Sequence, residues 1–227
     1  MRILAIDTAL AACAAAVLDT GRDAMLACEA RPMQRGHAEA LMPMIEQVMT
    51  QAGLAFAALE RIAVTVGPGS FTGLRVGIAA ARGIALAAGK PVVGVTTLAA
   101  YAAPLFDTDE AIPVVAAINA RHEHVYLQIF GRGGYTLMGP RLASLRDAAQ
   151  RAAASGAPRL TGDAARLLAS AWPAGEPAPR SVEQHPAPDI AWVAQLGAAA
   201  QETGAVKPLY LRAPDARPPD ANRIPRR

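Results

Sequence analysis

The chain has 227 residues, enough for one large domain or two small ones, and 52% of them are apolar, which supplies a full core. Aromatics make up only 4%, so that core must be built from Ala, Val, Leu, Ile and Met. The formal charge is +3, but residues 206–227 alone carry +4 and leave −1 for the rest; the composition excludes a broadly basic nucleic-acid-binding body and puts the positive charge in the tail.

Met1-Arg2 runs straight into an apolar strand at 2–7 rather than into a secretory segment. Arg75 and Arg82 interrupt the longest apolar run, which falls short of the ~20 residues that span a bilayer. Cys13 and Cys28 match neither metal nor redox spacing and read as buried free thiols in a reducing compartment. The expected location is the cytoplasm. Strands 12–19 and 24–30 follow the first, then helix 37–52, strand 61–66, helix 71–88, strand 92–96 and a short helix near 97–103. The order then restarts with strands 113–119, 124–130 and 135–139, and helices 143–154, 163–171 and 189–200. Stated twice, this order predicts an α/β chain of two related halves with a boundary near Phe106–Ala111, although no residue-level repeat is present. The five prolines of 173–188 exclude a continuous helix or a central strand there. Residues 213–227, with four prolines and no apolar periodicity, read as disordered.

Two helices carry unusual patterns. Leu41, Ile45, Val48 and Ala52 share one face of 37–52, while Met42, Met44 and Met49 widen the apolar arc beyond it. Such a helix is either deeply buried in its own domain or held between its sheet and a partner, since methionine suits adaptable contacts. Helix 71–88 contains Gly73, Gly77 and Gly83, each costing ~1 kcal/mol against alanine. Close approach by another backbone would offset that cost. Ser70 or Thr72 is the expected N-cap, and Gly89 before Lys90-Pro91 ends the helix.

The turn Gly67-Pro68-Gly69-Ser70-Phe71-Thr72-Gly73-Leu74-Arg75 joins strand 61–66 to that helix. A strand that breaks here and re-enters as a helix leaves free N–H groups able to hold an anion or a polar loop. The spacing fits neither a P-loop, a dinucleotide fingerprint nor a nucleophile elbow. His37 lacks a ligand one turn on, His122 and His124 lack a third, and His185 lies in the proline-rich loop, so no metal site is expected. Asp7, at the end of the first strand, reads equally as a metal or nucleotide contact and as a cap of the following turn.

These residues together carry a resemblance. Ile3–Thr8, His37–Ile45, Gly67–Gly77, Pro91–Val95, Asn119-Ala120-Arg121 with Val125-Tyr126, and Pro208–Arg212 closely resemble the TsaB (YeaZ) family of bacterial tRNA threonylcarbamoyladenosine biosynthesis proteins, a glycoprotease-like group. The resemblance implies an actin-like, ribonuclease-H-like α/β fold, with lobes at 1–106 and 107–212 and a tail at 213–227. It also implies a subunit that supports a TsaD-type transferase and a TsaE-type ATPase, with tRNA met indirectly through the complex, a homodimer when alone, and no membrane; direct tRNA contact by the arginine tail stays open as a further reading. The TsaD-type relative holds metal through a His-x-x-x-His pair; here that position reads Thr96-Thr97-Leu98-Ala99-Ala100-Tyr101, so no catalytic or metal residues are expected. No cofactor of its own is implied, and ATP or ADP would belong at a shared interface. The expected partner-binding residues are His37, Leu41, Met42, Ile45, Met49, Phe71, Gly73, Gly77 and Arg82. Expected nucleotide or anion contacts are Asp7, Thr8, Gly67, Gly69, Ser70 and Arg75. The chain departs from the family pattern at Asn119, at His122-Glu123-His124 and at Gly162-Asp163-Ala164. The competing reading is an ATP-using transferase or hydrolase with its own site around Asp7 and Gly67–Ser70.

Overall fold

The computed structural model describes residues 1–106, 111–202 and 204–212. The expected boundary segment therefore lies largely outside the described residues, and the expected disordered tail lies wholly outside them. Strands β1 (Arg2–Asp7), β2 (Ala12–Asp19), β3 (Ala24–Pro32), β4 (Arg61–Gly67) and β5 (Val92–Thr96) form one sheet in the order β3-β2-β1-β4-β5. β1, β2 and β3 pair antiparallel, and β4 and β5 run parallel to β1. Strands β6 (Val114–Arg121), β7 (His124–Phe130), β8 (Thr136–Ser144), β9 (Arg159–Thr161) and β10 (Ser181–Glu183) repeat that order and those directions in a second sheet. The topological duplication read from the sequence is therefore present.

Each sheet is covered on both faces. Helices α1 (His37–Gln51) and α2 (Phe71–Ala88) pack on Leu4, Ile6, Val17, Ile62 and Val64 of the first sheet. Helices α4 (Leu145–Ala153) and α5 (Ala165–Ser170) pack on Val115, Ala117, Val125 and Leu127 of the second. The remaining two helices cross over. α3 (Thr97–Ala102) follows β5 but sets Leu98, Tyr101 and Ala102 against Val114, Ala116 and Ile118 of the second sheet. α6 (Ile190–Ala199) follows β10 but sets Ile190, Val193 and Ala194 against Ile3, Ala5, Ala16 and Val93 of the first. This corrects the expected assignment of all of 107–212 to the second lobe, because the end of the chain returns to the first. Arg61 secures the return: its guanidinium donates to the carbonyls of Gly197 (3.0 Å), Ala198 (3.0 Å) and Ala200 (2.8 Å) and meets Glu202 at 3.2 Å. These carbonyls at the end of α6 have no partners within the helix, and a cation there also favours the helix dipole.

Some sequence expectations are corrected by local structure. β9 and β10, three residues each, carry too little alternation to be read in advance; β10 is an edge strand, the position that tolerates flanking prolines. Cys28 lies exposed on edge strand β3, whereas Cys13 is buried and its thiol is pushed up to about 11, mainly by burial and then by the Asp7 carboxyl. Among the described residues, α2 is the one helix long and apolar enough by length and composition to cross a membrane. Its Leu74, Ile78, Ala81 and Ala85 face the protein core.

Candidate functional site

β4 ends at Gly67 with φ +107°, followed by a cis Gly67-Pro68 peptide, and Ser70 caps α2 by accepting from the Gly73 N–H at 3.3 Å. The turn between β1 and β2 lies directly on this corner. The Ser70 N–H donates to the Ala9 carbonyl at 2.7 Å, and the Thr8 hydroxyl donates to the Gly73 carbonyl at 2.7 Å. A Cβ at Gly69 or Gly73 would strike the backbone of Ala9 or Thr8, and one at Gly77 would stand 2.5 Å from the Thr8 hydroxyl oxygen. The glycine face does receive a close backbone approach, but from this chain's own turn. Gly73 and Gly77 are therefore removed from the expected partner surface; Gly83, which was not among the expected contacts, has an open Cβ position.

Asp7 is fully buried at this junction. Its Oδ1 accepts from the Ala9 N–H (2.9 Å) and the Thr65 hydroxyl (2.6 Å), while Oδ2 has no partner. Burial pushes its carboxyl above the ordinary carboxylate range, against the opposing pull of Thr65, Ala9 and His37. Asp7 thus locks the turn, and with Thr8 also buried neither side chain reaches an outside anion or nucleotide. The duplicated position behaves alike: Asn119 Oδ1 at the end of β6 accepts from the Arg121 N–H two residues on, at 2.8 Å. The Asn119 N–H donates to Asp163 Oδ1 at 2.8 Å, and burial pushes the Asp163 carboxyl up to about 6 against that bond.

The other expected anion contacts do not converge either. Gly67 makes room for Leu74 and for the Leu209 carbonyl, whose residue also donates its N–H to Val66 at 2.7 Å. Arg75 lies 3.7 Å over the Phe71 ring and donates from Nε to the Tyr210 hydroxyl at 3.2 Å, while Phe71 and Tyr210 stack at 5.4 Å. Ser70 alone of that set lines a cavity of about 380 Å³ between the first turns of α1 and α2, beside Arg35, His37, Glu39 and Thr72. His37 is itself buried, its Nε2 3.1 Å from the Leu10 carbonyl oxygen. Among the described residues no three His, Cys, Asp or Glu side chains gather where they could hold a metal ion.

The outward surface of α1 and α2 is narrower than expected. Leu41, Met44, Ile45, Val48 and Met49 are all in the core, so Leu41, Ile45 and Met49 are corrected from partner contacts to packing residues. Met42 stays 49% exposed. On α2 the exposed stripe is Phe71, Arg75, Ala79, Arg82, Gly83 and Leu86, at helical spacing. Leu86 is 86% exposed and borders a shallow groove of about 410 Å³ with Arg82, Val92 and Val206. Leu86 and Tyr210 were missed in the sequence; the signal for Leu86 was its place on the wheel opposite Leu74, Ile78 and Ala81.

Two five-stranded sheets of matching topology, exchanging their last helices, define an actin-like, ribonuclease-H-like α/β protein. YeaZ from Pseudomonas aeruginosa superposes with a TM-score of 0.75 at 27% identity, covering 92% of this chain and 99% of that one. The tRNA threonylcarbamoyladenosine biosynthesis protein TsaB of Escherichia coli is 40% identical over 126 residues, 56% of this chain and 53% of its own length. A tRNA N6-adenosine threonylcarbamoyltransferase of Sorangium cellulosum is 33% identical over 194 residues, 77% of this chain and 54% of its own. The chain thus spans about half the length of the curated relatives it matches. Residues 31–170 match the family model described as TsaD, tRNA N6-adenosine threonylcarbamoyltransferase. The chain belongs to that family, in its TsaB (YeaZ) branch.

Proposed function

We propose that the chain is a non-catalytic subunit of the machinery that makes threonylcarbamoyladenosine in tRNA, working in the cytoplasm beside a TsaD-type transferase and a TsaE-type ATPase. The observation that carries the pairing is the α2 stripe. Phe71 and Leu86, with Arg82 and Gly83 on the same helix face, Met42 on α1 and Tyr210 from the chain end, leave large apolar side chains exposed to a partner. Open space at Gly83 lets a partner helix come close. In isolation the same stripe joins two copies of the chain.

The non-catalytic part is supported by the first turn of α3. The segment Thr96–Tyr101, where the resemblance places a histidine pair in the transferase, holds no histidine, and Thr97, Leu98, Ala100 and Tyr101 within it are buried. Against the competing reading, an ATP-using enzyme centred on Asp7 and Gly67–Ser70, stand the buried Asp7 and Thr8 and the internal bond from Ser70. ATP or ADP is assigned to the joint interface rather than to a pocket of this chain alone.

Reconstitution of the tRNA modification from purified subunits, with and without this chain, tests the role. Leu86→Asp should weaken pairing with the transferase at least tenfold by calorimetry while the monomer stays folded. Unchanged affinity, or full modification without the chain, would overturn the reading.

A further inference from the structure

The near-neutral body of the protein contains a local concentration of positive charge at the tip of the β6–β7 hairpin. Arg121 pairs with His124 across a two-residue turn, His122-Glu123. Arg121, His122 and Glu123 all have positive φ, at 63°, 49° and 56°. Tight turns of this kind favour Asn-Gly, and three consecutive non-glycine residues in the left-handed region are disfavoured. The β2–β3 turn, by contrast, puts Asp23, a residue tolerant of that region, at its one non-glycine positive φ. His122, Glu123 and Arg121 are thus kept against backbone preference, which points to a use for their side chains.

The tip is held firmly. The Leu145 N–H donates to the Glu123 carbonyl at 2.7 Å, tying the turn to the start of α4. Arg212 Nη1 donates to the Ala120 carbonyl at 3.4 Å from the other side. On the Leu145 side lies a cavity of about 320 Å³ lined by His122, Glu123, His124, Ser144, Leu145 and Arg146. Arg121 and Arg146 are exposed, and among the described residues neither guanidinium has a carboxylate partner. Of the nearby acids, Asp147 is paired with Arg151, Asp163 is bonded to Asn119, and Glu123 is the exposed counter-charge. The sequence beyond Arg212 adds Arg217, Arg223, Arg226 and Arg227 against Asp215 and Asp220.

We infer that this tip, through Arg121 and Arg146 with His122 and His124 beside them, is a docking surface for the phosphate backbone of RNA. The identity of that RNA as tRNA rests on the proposed function; the surface itself does not. It lies on the second lobe, beside Arg212, whose near neighbour in the chain, Tyr210, reaches the first residue of the α2 stripe, Phe71.

The test measures anisotropy of a labelled, unmodified tRNA transcript with the full-length chain at rising salt. Each phosphate contact contributes ~0.9 to the slope of log affinity against log salt, so Arg121→Gln/Arg146→Gln should flatten it by ~1.8. Wild type should therefore lose ~12-fold more affinity than the variant over a fourfold rise in salt. The variant's melting temperature should be unchanged, because both side chains are exposed. Equal slopes, or no binding by wild type at low salt, would overturn the inference. If wild type fails to pair with the transferase yet keeps the steeper slope, the proposed function falls and the RNA surface stands.

Discussion

The Thr8 hydroxyl sits where a side chain on Gly77 would have to go, 2.5 Å from that Cβ position, while it donates to the Gly73 carbonyl at 2.7 Å. Gly77→Ala must therefore move the β1–β2 turn or break that bond, and should cost ~1–3 kcal/mol in urea denaturation. Gly83→Ala meets open space in the same helix and should be neutral or stabilising by up to ~1 kcal/mol. Equal effects at the two sites would refute the internal role given to Gly77.

Asp7 acts as a turn lock, so its shape should matter more than its charge. Asp7→Asn keeps an oxygen for the Ala9 N–H and the Thr65 hydroxyl and should stay within ~1 kcal/mol of wild type. Asp7→Ala strands both donors in the core and should cost ~2–5 kcal/mol. In the reconstituted modification assay Asp7→Asn should retain activity. A collapse of activity in a folded Asp7→Asn protein would instead favour the enzymatic reading.

Asp163 should leave a signature in the pH dependence of stability. Its carboxyl is raised from an ordinary value of 3.8 to about 6, so between those values the unfolded chain ionises while the folded chain keeps its proton. The stabilisation it gives is complete below about pH 3.8 and is lost as pH rises through about 6, by up to ~3 kcal/mol at 1.36 per unit. Asp163→Asn accepts the same bond from Asn119 without titrating. Its urea midpoint should fall less than that of wild type over this range, and parallel curves would remove Asp163 as the cause.

The hairpin tip offers a stability test separate from RNA. His122→Asn/Glu123→Gly supplies the residues its backbone prefers and should stabilise the protein by ~1 kcal/mol. The same variant loses one histidine of the charged surface. A lower melting temperature would mean that the two native side chains contribute contacts that outweigh their conformational cost.

Arg61 should not be replaceable by lysine. One ammonium lacks the flat fork that reaches Gly197, Ala198, Ala200 and Glu202 together. Arg61→Lys should raise amide exchange in 190–200 selectively, with a stability loss of ~1–3 kcal/mol. Uniform exchange across the chain would argue against a local clamp.

Local signals in the sequence were strong where one element decides its own form. Helix α2 was read as 71–88 and spans Phe71–Ala88, because Ser70 and Gly89 mark its ends chemically. The duplicated strand order was legible for the same reason. What was illegible depends on contacts between distant segments. Three glycines announce that a backbone comes close, but nothing near Gly73 says that the backbone is that of Thr8. Methionines widen an apolar arc, yet whether Met44 and Met49 meet core or partner depends on how α1 sits on its sheet. Likewise the approach of Tyr210 to Arg75 joins positions that share no local pattern.

The exchange of helices between lobes bears on how the chain is made. As the ribosome releases residues 1–106, the face of the first sheet bearing Ile3, Ala5, Ala16 and Val93 has no cover, because its helix is encoded at 190–199. Domains usually fold in turn as they emerge. Here the order is reversed: the second lobe has its crossing helix α3 before its own strands are made, whereas the first must wait for α6, so the first lobe matures last and a chain stopped before Ile190 would present an apolar sheet to its neighbours.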